Sequence, residues 1–260
     1  MLTPAQCERL DVVLVSPRNP LNIGAAARAM ANFGFQRLSI VAPFAVNWME
    51  AKSAVGAPDL LREARVYETL AEAVAHCTLV LGTGSLDRRK PEQAILDLPE
   101  AGRQVRQALA AEIPTSRIAL LFGSEKHGLT SDDLSWCHAL IVIETSEAQP
   151  SMNLGQAVAV CLYEISRTAS ETTTTTESAT ALQKIKGAEH PDSGQLDRLA
   201  GLIEETMEAV NYTTRGMRSA NGEALRVLLR RLMPNEADLR RMMGLFRRIL
   251  WQLRRPNRER

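Results

Sequence analysis

Ile118-Ala-Leu-Leu-Phe-Gly-Ser-Glu-Lys-His-Gly-Leu-Thr130 decides the reading of the whole chain. Five apolar residues stop at Gly123, a polar turn carrying Glu125 follows, and Gly128 closes it. A short apolar run bounded by turn residues predicts a strand buried on both faces. Two glycines just past its end call for unusual backbone angles or a close approach by something else. Thr130-Ser-Asp-Asp133 then predicts a helix from Ser131. Ligands of open α/β sheets bind outside the carboxyl ends of strands, so this turn is expected to form one wall of a site.

Working outward, Asp11–Ser16, Leu38–Ala42, Thr78–Thr83 and Ala139–Ile143 are further apolar runs. Helical patterns cover Ile23–Phe33, Asp59–Ala64, Leu70–His76 and Leu98–Ala111 between them. Pro17-Arg-Asn-Pro-Leu-Asn22 reads as a turn. Strands alternating with helices predict an α/β fold, a mostly parallel sheet with helices on both faces. The helix opening at Ile23 carries Gly24, Ala25, Ala26 and Ala27, then Arg28. Such small residues suit either a ligand lying close or tight helix packing. Gly82-Thr-Gly84 lacks the third glycine of a dinucleotide fingerprint. Arg88-Arg-Lys90 suits either phosphate or solvent. Ala157–Ile165 is apolar nearly all round, so that helix must be buried on several sides, in its own domain or against another subunit.

Composition narrows the class. Aliphatic residues dominate a hydrophobic content of 45%, with aromatics at 4%. No run reaches the roughly 18 apolar residues of a membrane span, and the first residues lack a signal-peptide pattern. Four isolated cysteines and four scattered histidines predict free thiols, no metal site and a cytoplasmic location.

Residues 1–168 are expected to be the catalytic domain, 169–193 a flexible linker rich in threonine, and 194–260 a helical extension. In the extension, Leu196, Leu199, Ile203 and Val210 mark one apolar face, and Leu225, Leu228, Leu229 and Leu232 another. From Ala224 on, eleven arginines against three acids give +8, leaving −7 elsewhere for the overall +1. The last helix, between a cap at Asn235 and a stop at Pro256, repeats Leu239, Phe246 and Leu253 every seven residues. Arg240, Arg241, Arg247, Arg248, Arg254 and Arg255 recur beside that seam. Phosphate binding is the reading preferred for the stripe, against a solvated face.

Three strand-end turns now stand together: Asn22-Ile-Gly-Ala-Ala-Ala-Arg-Ala29, Phe122-Gly-Ser-Glu-Lys-His-Gly-Leu129 and Pro150-Ser-Met-Asn-Leu154. In this order they resemble the three motifs of the SPOUT-superfamily RNA ribose 2′-O-methyltransferases, over roughly residues 10–167. The whole layout is similar to the TrmJ branch, which methylates nucleotide 32 of the tRNA anticodon loop. The resemblance implies a trefoil-knotted, homodimeric enzyme that uses S-adenosylmethionine. It implies that Thr83, Gly84, Ser85, Gly123, Ile143, Pro150, Ser151 and Met152 hold the cofactor. Asn22, Arg28, Glu125, Ser151 and Asn153 correspond to motif residues near the transferred methyl and the target ribose. Asn22 and Glu125 are expected to fix the site's backbone and Arg28, and His127 to be incidental. Met152, where leucine is more usual, conserves volume. Two other readings are a ribosomal RNA substrate and a non-catalytic RNA-binding protein.

Overall fold

In a computed structural model, β1 (Leu10–Val15) and β6 (Ile118–Phe122) lie side by side, buried at every position. Side chains of a strand alternate between its faces, and both strands divide accordingly. Leu10, Val12, Leu14, Ile118, Leu120 and Phe122 join one core; Val13, Val15, Ala119 and Leu121 join the other. The structure describes residues 2–44, 57–84, 91–111, 116–167, 190–212 and 218–254.

The sheet is wholly parallel, with β2 (Arg37–Val41), β3 (Arg65–Tyr67), β4 (Leu79–Thr83), β5 (Ala94–Asp97) and β7 (Ala139–Val142) completing the order β3-β2-β1-β6-β4-β7-β5. Thus β6 enters between β1 and β4, and β7 between β4 and β5. Helices α2 (Pro20–Asn32), α5 (Leu98–Ala110) and α7 (Leu154–Ser166) cover the first core. Helices α4 (Leu70–Val74) and α6 (Ser131–Ser135) cover the second. The short helices α1 (Pro4–Cys7) and α3 (Pro58–Arg62) precede β1 and β3. All four cysteines are free and buried.

Three expectations change. Pro17–Asn22 is not all turn: Asn19 caps α2 and Pro20 is its first residue, where proline's missing N–H costs nothing. The edge strands β3 and β5 carry too little apolar pattern to have been expected; β3 buries none of its three residues. Of the small residues of α2, Ala25 serves packing, since a Cβ on Gly155 of α7 would lie 2.6 Å from the Cβ of Ala25.

The helical extension consists of α8 (Ser193–Ala209), α9 (Arg218–Leu232) and α10 (Glu236–Leu253). Asp192 caps α8, so ordered structure begins before residue 194. The start of α8 docks against the turn that follows α4 through Ser193 N and Gly194 N, which donate to Cys77 O and Ala75 O at 2.9 Å each. The predicted apolar faces hold in part. Leu196, Leu199, Leu229 and Leu239 form a core, with Ile203, Leu225, Met242, Met243 and Phe246 packed on it. Val210, Leu228, Leu232 and Leu253 are exposed instead. On α9 the Arg230 side chain is fully buried; its Nε donates to Trp136 O at 2.8 Å and its guanidinium lies 4.9 Å from the Trp136 ring centroid. Burial pulls its pKa down to about 10. The leucine count outweighed Arg230 in the sequence because nothing local announces a buried arginine.

Candidate active site

All seven strands point the same way, so their carboxyl ends share one edge, and the three motif turns meet there. Ser16, the first residue past β1, takes a left-handed conformation (φ 49). The chain then crosses to Asn19, whose Oδ1 accepts from Leu21 N at 2.9 Å and caps α2. The Glu125 carboxylate receives three donors from this segment: Arg18 N at 2.9 Å, Asn19 N at 3.0 Å and Asn22 Nδ2 at 2.9 Å. The Asn22 Oδ1 accepts in turn from Asn153 Nδ2 at 2.9 Å. Asn153 Oδ1 accepts from Gly155 N at 2.9 Å and Gln156 N at 3.4 Å, capping α7. One hydrogen-bonded chain therefore ties all three motifs together. Burial alone would raise the Glu125 pKa; the donors, Asn22 first, outweigh it and hold the carboxyl below its ordinary value.

The glycines of the middle turn have distinct roles. Gly128 takes φ +65, and its N donates to Ser124 O at 2.8 Å. A Cβ on Gly123 would lie 2.1 Å from Gly128 C and 2.2 Å from Leu129 N. The close approach at Gly123 is thus made by its own turn. His127 is exposed, and its backbone N donates to Ser124 Oγ at 3.3 Å.

Of the residues expected to hold the cofactor, Gly123, Thr83 with Gly84, and Ile143 sit at three neighbouring strand ends, those of β6, β4 and β7, while Pro150, Ser151 and Met152 lie in the loop that leads to α7. Thr83 is buried with its Oγ1 donating to Leu121 O at 2.9 Å, so its hydroxyl spans two strands. Gly84 N donates to Ile141 O at 3.3 Å, and a Cβ there would meet nothing within 4 Å. Ile143 and Met152 are half-buried, while Pro150 and Ser151 are exposed. Thr145 Oγ1 donates to Pro150 O at 3.1 Å and closes the intervening loop. The backbone at Gly84, with no Cβ to cover it, can approach a nucleoside closely, and the half-buried Ile143 and Met152 offer apolar surface to its rings. Ser85 and the run 88–90 lie outside the described residues.

Not every expected residue joins the hydrogen-bonded chain. Asn22, Glu125 and Asn153 are brought together; Ser151 is exposed outside them. Arg28 is exposed on α2 and pairs with none of the described residues, so Glu125 and Asn22 fix backbone rather than Arg28. Arg18 and Asn19 were not singled out in the sequence, although an Asn before Pro is a helix-start signal. On α10, Arg240, Arg241, Arg247, Arg248 and Arg254 are all exposed; Arg255 lies outside the described residues. Arg241 pairs with Asp238 at 3.5 Å, Arg254 with Glu205, and Arg248 lies 4.1 Å from the Trp251 ring centroid.

At the opposite, amino edge, Asp11, His76 and Cys77 bring possible metal-ligand atoms within 4.8 Å of one another. Their chemistry is that of an ion-pair network. The buried Asp11 meets Arg37, His76 at 2.6 Å and Arg117 at 3.4 Å. Burial pushes the Cys77 thiol pKa up, which disfavours a thiolate.

The geometry agrees with the comparisons. The model of the SpoU rRNA methylase family matches residues 9–163. The tRNA (cytidine/uridine-2′-O-)-methyltransferase TrmJ of Citrobacter koseri is 31% identical, over 93% of this chain and 96% of its own. The tRNA (cytidine/uridine/adenosine-2′-O-)-methyltransferase TrmJ of Pseudomonas aeruginosa is 41% identical over 61% of this chain and 60% of its own. Among solved structures, TrmJ from Z. mobilis ZM4 superimposes with a TM-score of 0.77 at 27% identity, covering 92% of this chain and 98% of that one. With its three motif turns bound into one site and its likeness extending through the helical extension, the chain belongs to the SpoU rRNA methylase family and is a methyltransferase.

Proposed function

We propose that the protein transfers a methyl group from S-adenosylmethionine to a ribose 2′-hydroxyl of tRNA, at nucleotide 32 of the anticodon loop, and works as a homodimer in the cytoplasm. The observation that carries this reading is the chain Glu125–Asn22–Asn153, which fixes three separate turns against one another. The cofactor set is Thr83, Gly84, Ser85, Gly123, Ile143, Pro150, Ser151 and Met152, with Thr83 contributing backbone because its hydroxyl is engaged. The exposed arginines of α10 supply a phosphate handle.

Bound S-adenosylmethionine supplies a methyl on a good leaving group, so the chain must align a hydroxyl and ease loss of its proton. Glu125 is fully engaged by donors and holds the turn. A guanidinium is a poor general base, so proton abstraction is not assigned to Arg28. Its fork clamps phosphate and ribose and stabilises the developing alkoxide, while the proton leaves to phosphate or water.

The test is methylation of unmodified tRNA transcripts by the full chain, with the modified nucleoside mapped. A 2′-O-methyl at nucleotide 32 is expected; methylation confined to ribosomal RNA, or none, would overturn the reading. Removing the extension is the poorer test, because it would uncover the surface around Trp136 on which Arg230 is buried.

A further inference from the structure

The carboxyl edge of the sheet holds one feature that the methyl-transfer reading does not use. Phe44, two residues past the turn that ends β2, is 70% exposed. It is nonetheless anchored, because its N donates to Pro17 O at 3.1 Å. The Arg18 guanidinium carbon lies 4.2 Å from the Phe44 ring centroid. Arg18's own amide is held by Glu125, so ring and guanidinium are tied to the turn that carries Asn22.

The backbone leading to this pair is strained at two neighbouring places. Ser16 (φ 49) and Ala42 (φ 42), the first residues past β1 and β2, both adopt the left-handed conformation that side chains disfavour. Each is pinned to the next strand: Ser16 N donates to Val41 O at 2.8 Å, and Ala42 N to Tyr67 O at 2.9 Å. Strain held in this way accumulates where function requires a particular chain path. Here the path leads to an apolar ring left largely in water.

We infer that Phe44 and Arg18 form a stacking platform for a nucleobase of the RNA substrate, at or beside the nucleotide being methylated. The inference rests on the reading of the site as an RNA 2′-O-methyltransferase and extends it to a base. Unpaired bases stack on aromatic rings and on guanidinium planes, whatever their identity. Position along the sheet edge supports the assignment. The platform stands at the ends of β2 and β1, the Glu125–Asn22 contact at β1 and β6, and the cofactor residues at β6, β4 and β7. Base, ribose and methyl donor therefore follow one another across adjacent strands spaced about 4.8 Å apart.

The experiment compares full-length wild type with Phe44→Ala, Phe44→Leu and Phe44→Trp, using an unmodified tRNA transcript as probe. Phe44→Ala and Phe44→Leu are expected to raise the tRNA KM roughly tenfold. Their S-adenosylmethionine affinity and melting temperature should match wild type. Phe44→Trp should restore the KM, and its added indole fluorescence should be quenched when tRNA binds. Wild-type kinetics for Phe44→Leu would overturn the platform, because bulk alone would then suffice. So would indole fluorescence that tRNA leaves unquenched in Phe44→Trp, or a shift of Phe44→Ala toward monomer without RNA, which would make this face a contact between copies. If wild type binds tRNA and quenching occurs but no ribose is methylated, the methyltransferase reading fails while the platform stands.

Discussion

Asn153 and Asn22 share a single 2.9 Å hydrogen bond, and each has its other amide atom committed elsewhere: Asn22 Nδ2 to Glu125, Asn153 Oδ1 to the first turn of α7. Both amides are thereby fixed in orientation, because flipping either one sets donor against donor or acceptor against acceptor. The arrangement is directional, and its direction can be tested.

Asn22→Asp keeps the shape and removes the donor facing Glu125, so two carboxylates confront each other. Turnover should fall about 100-fold at neutral pH, as expected for misplaced catalytic groups. Relative to wild type it should recover as pH falls, because one shared proton restores a donor between the pair. A pH profile of kcat parallel to that of wild type would contradict this.

Gly123→Ala places a methyl group where the backbone of residues 128 and 129 already lies. The turn must open, at a cost of about 1–3 kcal/mol for overpacking. Denaturant unfolding should show a modest loss of stability, and methylation should drop far more than stability does.

Arg28→Lys retains the charge and loses the planar fork. If the clamp is bidentate, kcat should fall about 100-fold or more with S-adenosylmethionine affinity unchanged. Isothermal calorimetry beside single-turnover kinetics separates the two.

Along α10, Arg240 and Arg247 are exposed and pair with none of the described residues, whereas Arg254 meets Glu205 and Arg241 meets Asp238. Replacing Arg240 and Arg247 with Gln should flatten the slope of log K against log salt by roughly 0.7–0.9 for each phosphate no longer neutralised. Replacing Arg254 should change it less, because part of its charge is already neutralised. Equal slopes for all variants would remove α10 from the RNA interface.

Acid stability should be governed in part by Asp11. Burial would raise its pKa, but hydrogen bonds from His76 and Arg37, and the charges of Arg37 and Arg117, hold it below the ordinary value. A depressed carboxyl contributes stability above its unfolded pKa, about 3.9, and that contribution is lost as pH falls through the folded value. Asp11→Asn should cost about 3–5 kcal/mol at neutral pH, because it leaves guanidinium groups without their buried partner. It should also weaken the acid dependence of the unfolding midpoint.

The sequence was most legible where local chemistry and tertiary role agree. Ile118–Phe122 reads as a buried strand and is one; Asn153-Leu-Gly155 reads as a motif and is a cap with a tight helix contact. The edge strands Arg65–Tyr67 and Ala94–Asp97 were not legible, because a solvated edge needs no apolar alternation. Nor was the partnership of Glu125 with Arg18 and Asn19. It uses backbone donors more than a hundred residues away, and backbone groups leave no residue-type signal. Arg230 failed for a related reason: besides the Arg226 carbonyl one turn back, its partners are the carbonyl and ring of Trp136, which lie far off in the sequence.

The insertion of β6 between β1 and β4 also sets the order in which the molecule can fold. β1 gains its inner neighbour only when Ile118 reaches Leu10, across more than a hundred residues of intervening chain. During synthesis, the first half must therefore wait with the inner edges of β1 and β4 unpaired, the state most open to wrong association. The pairing that ends the wait also carries Glu125 to Arg18 and Asn19. A nascent chain that has not seated its central strand lacks the Glu125 contacts of the site, so no activity can be gained during refolding before that step.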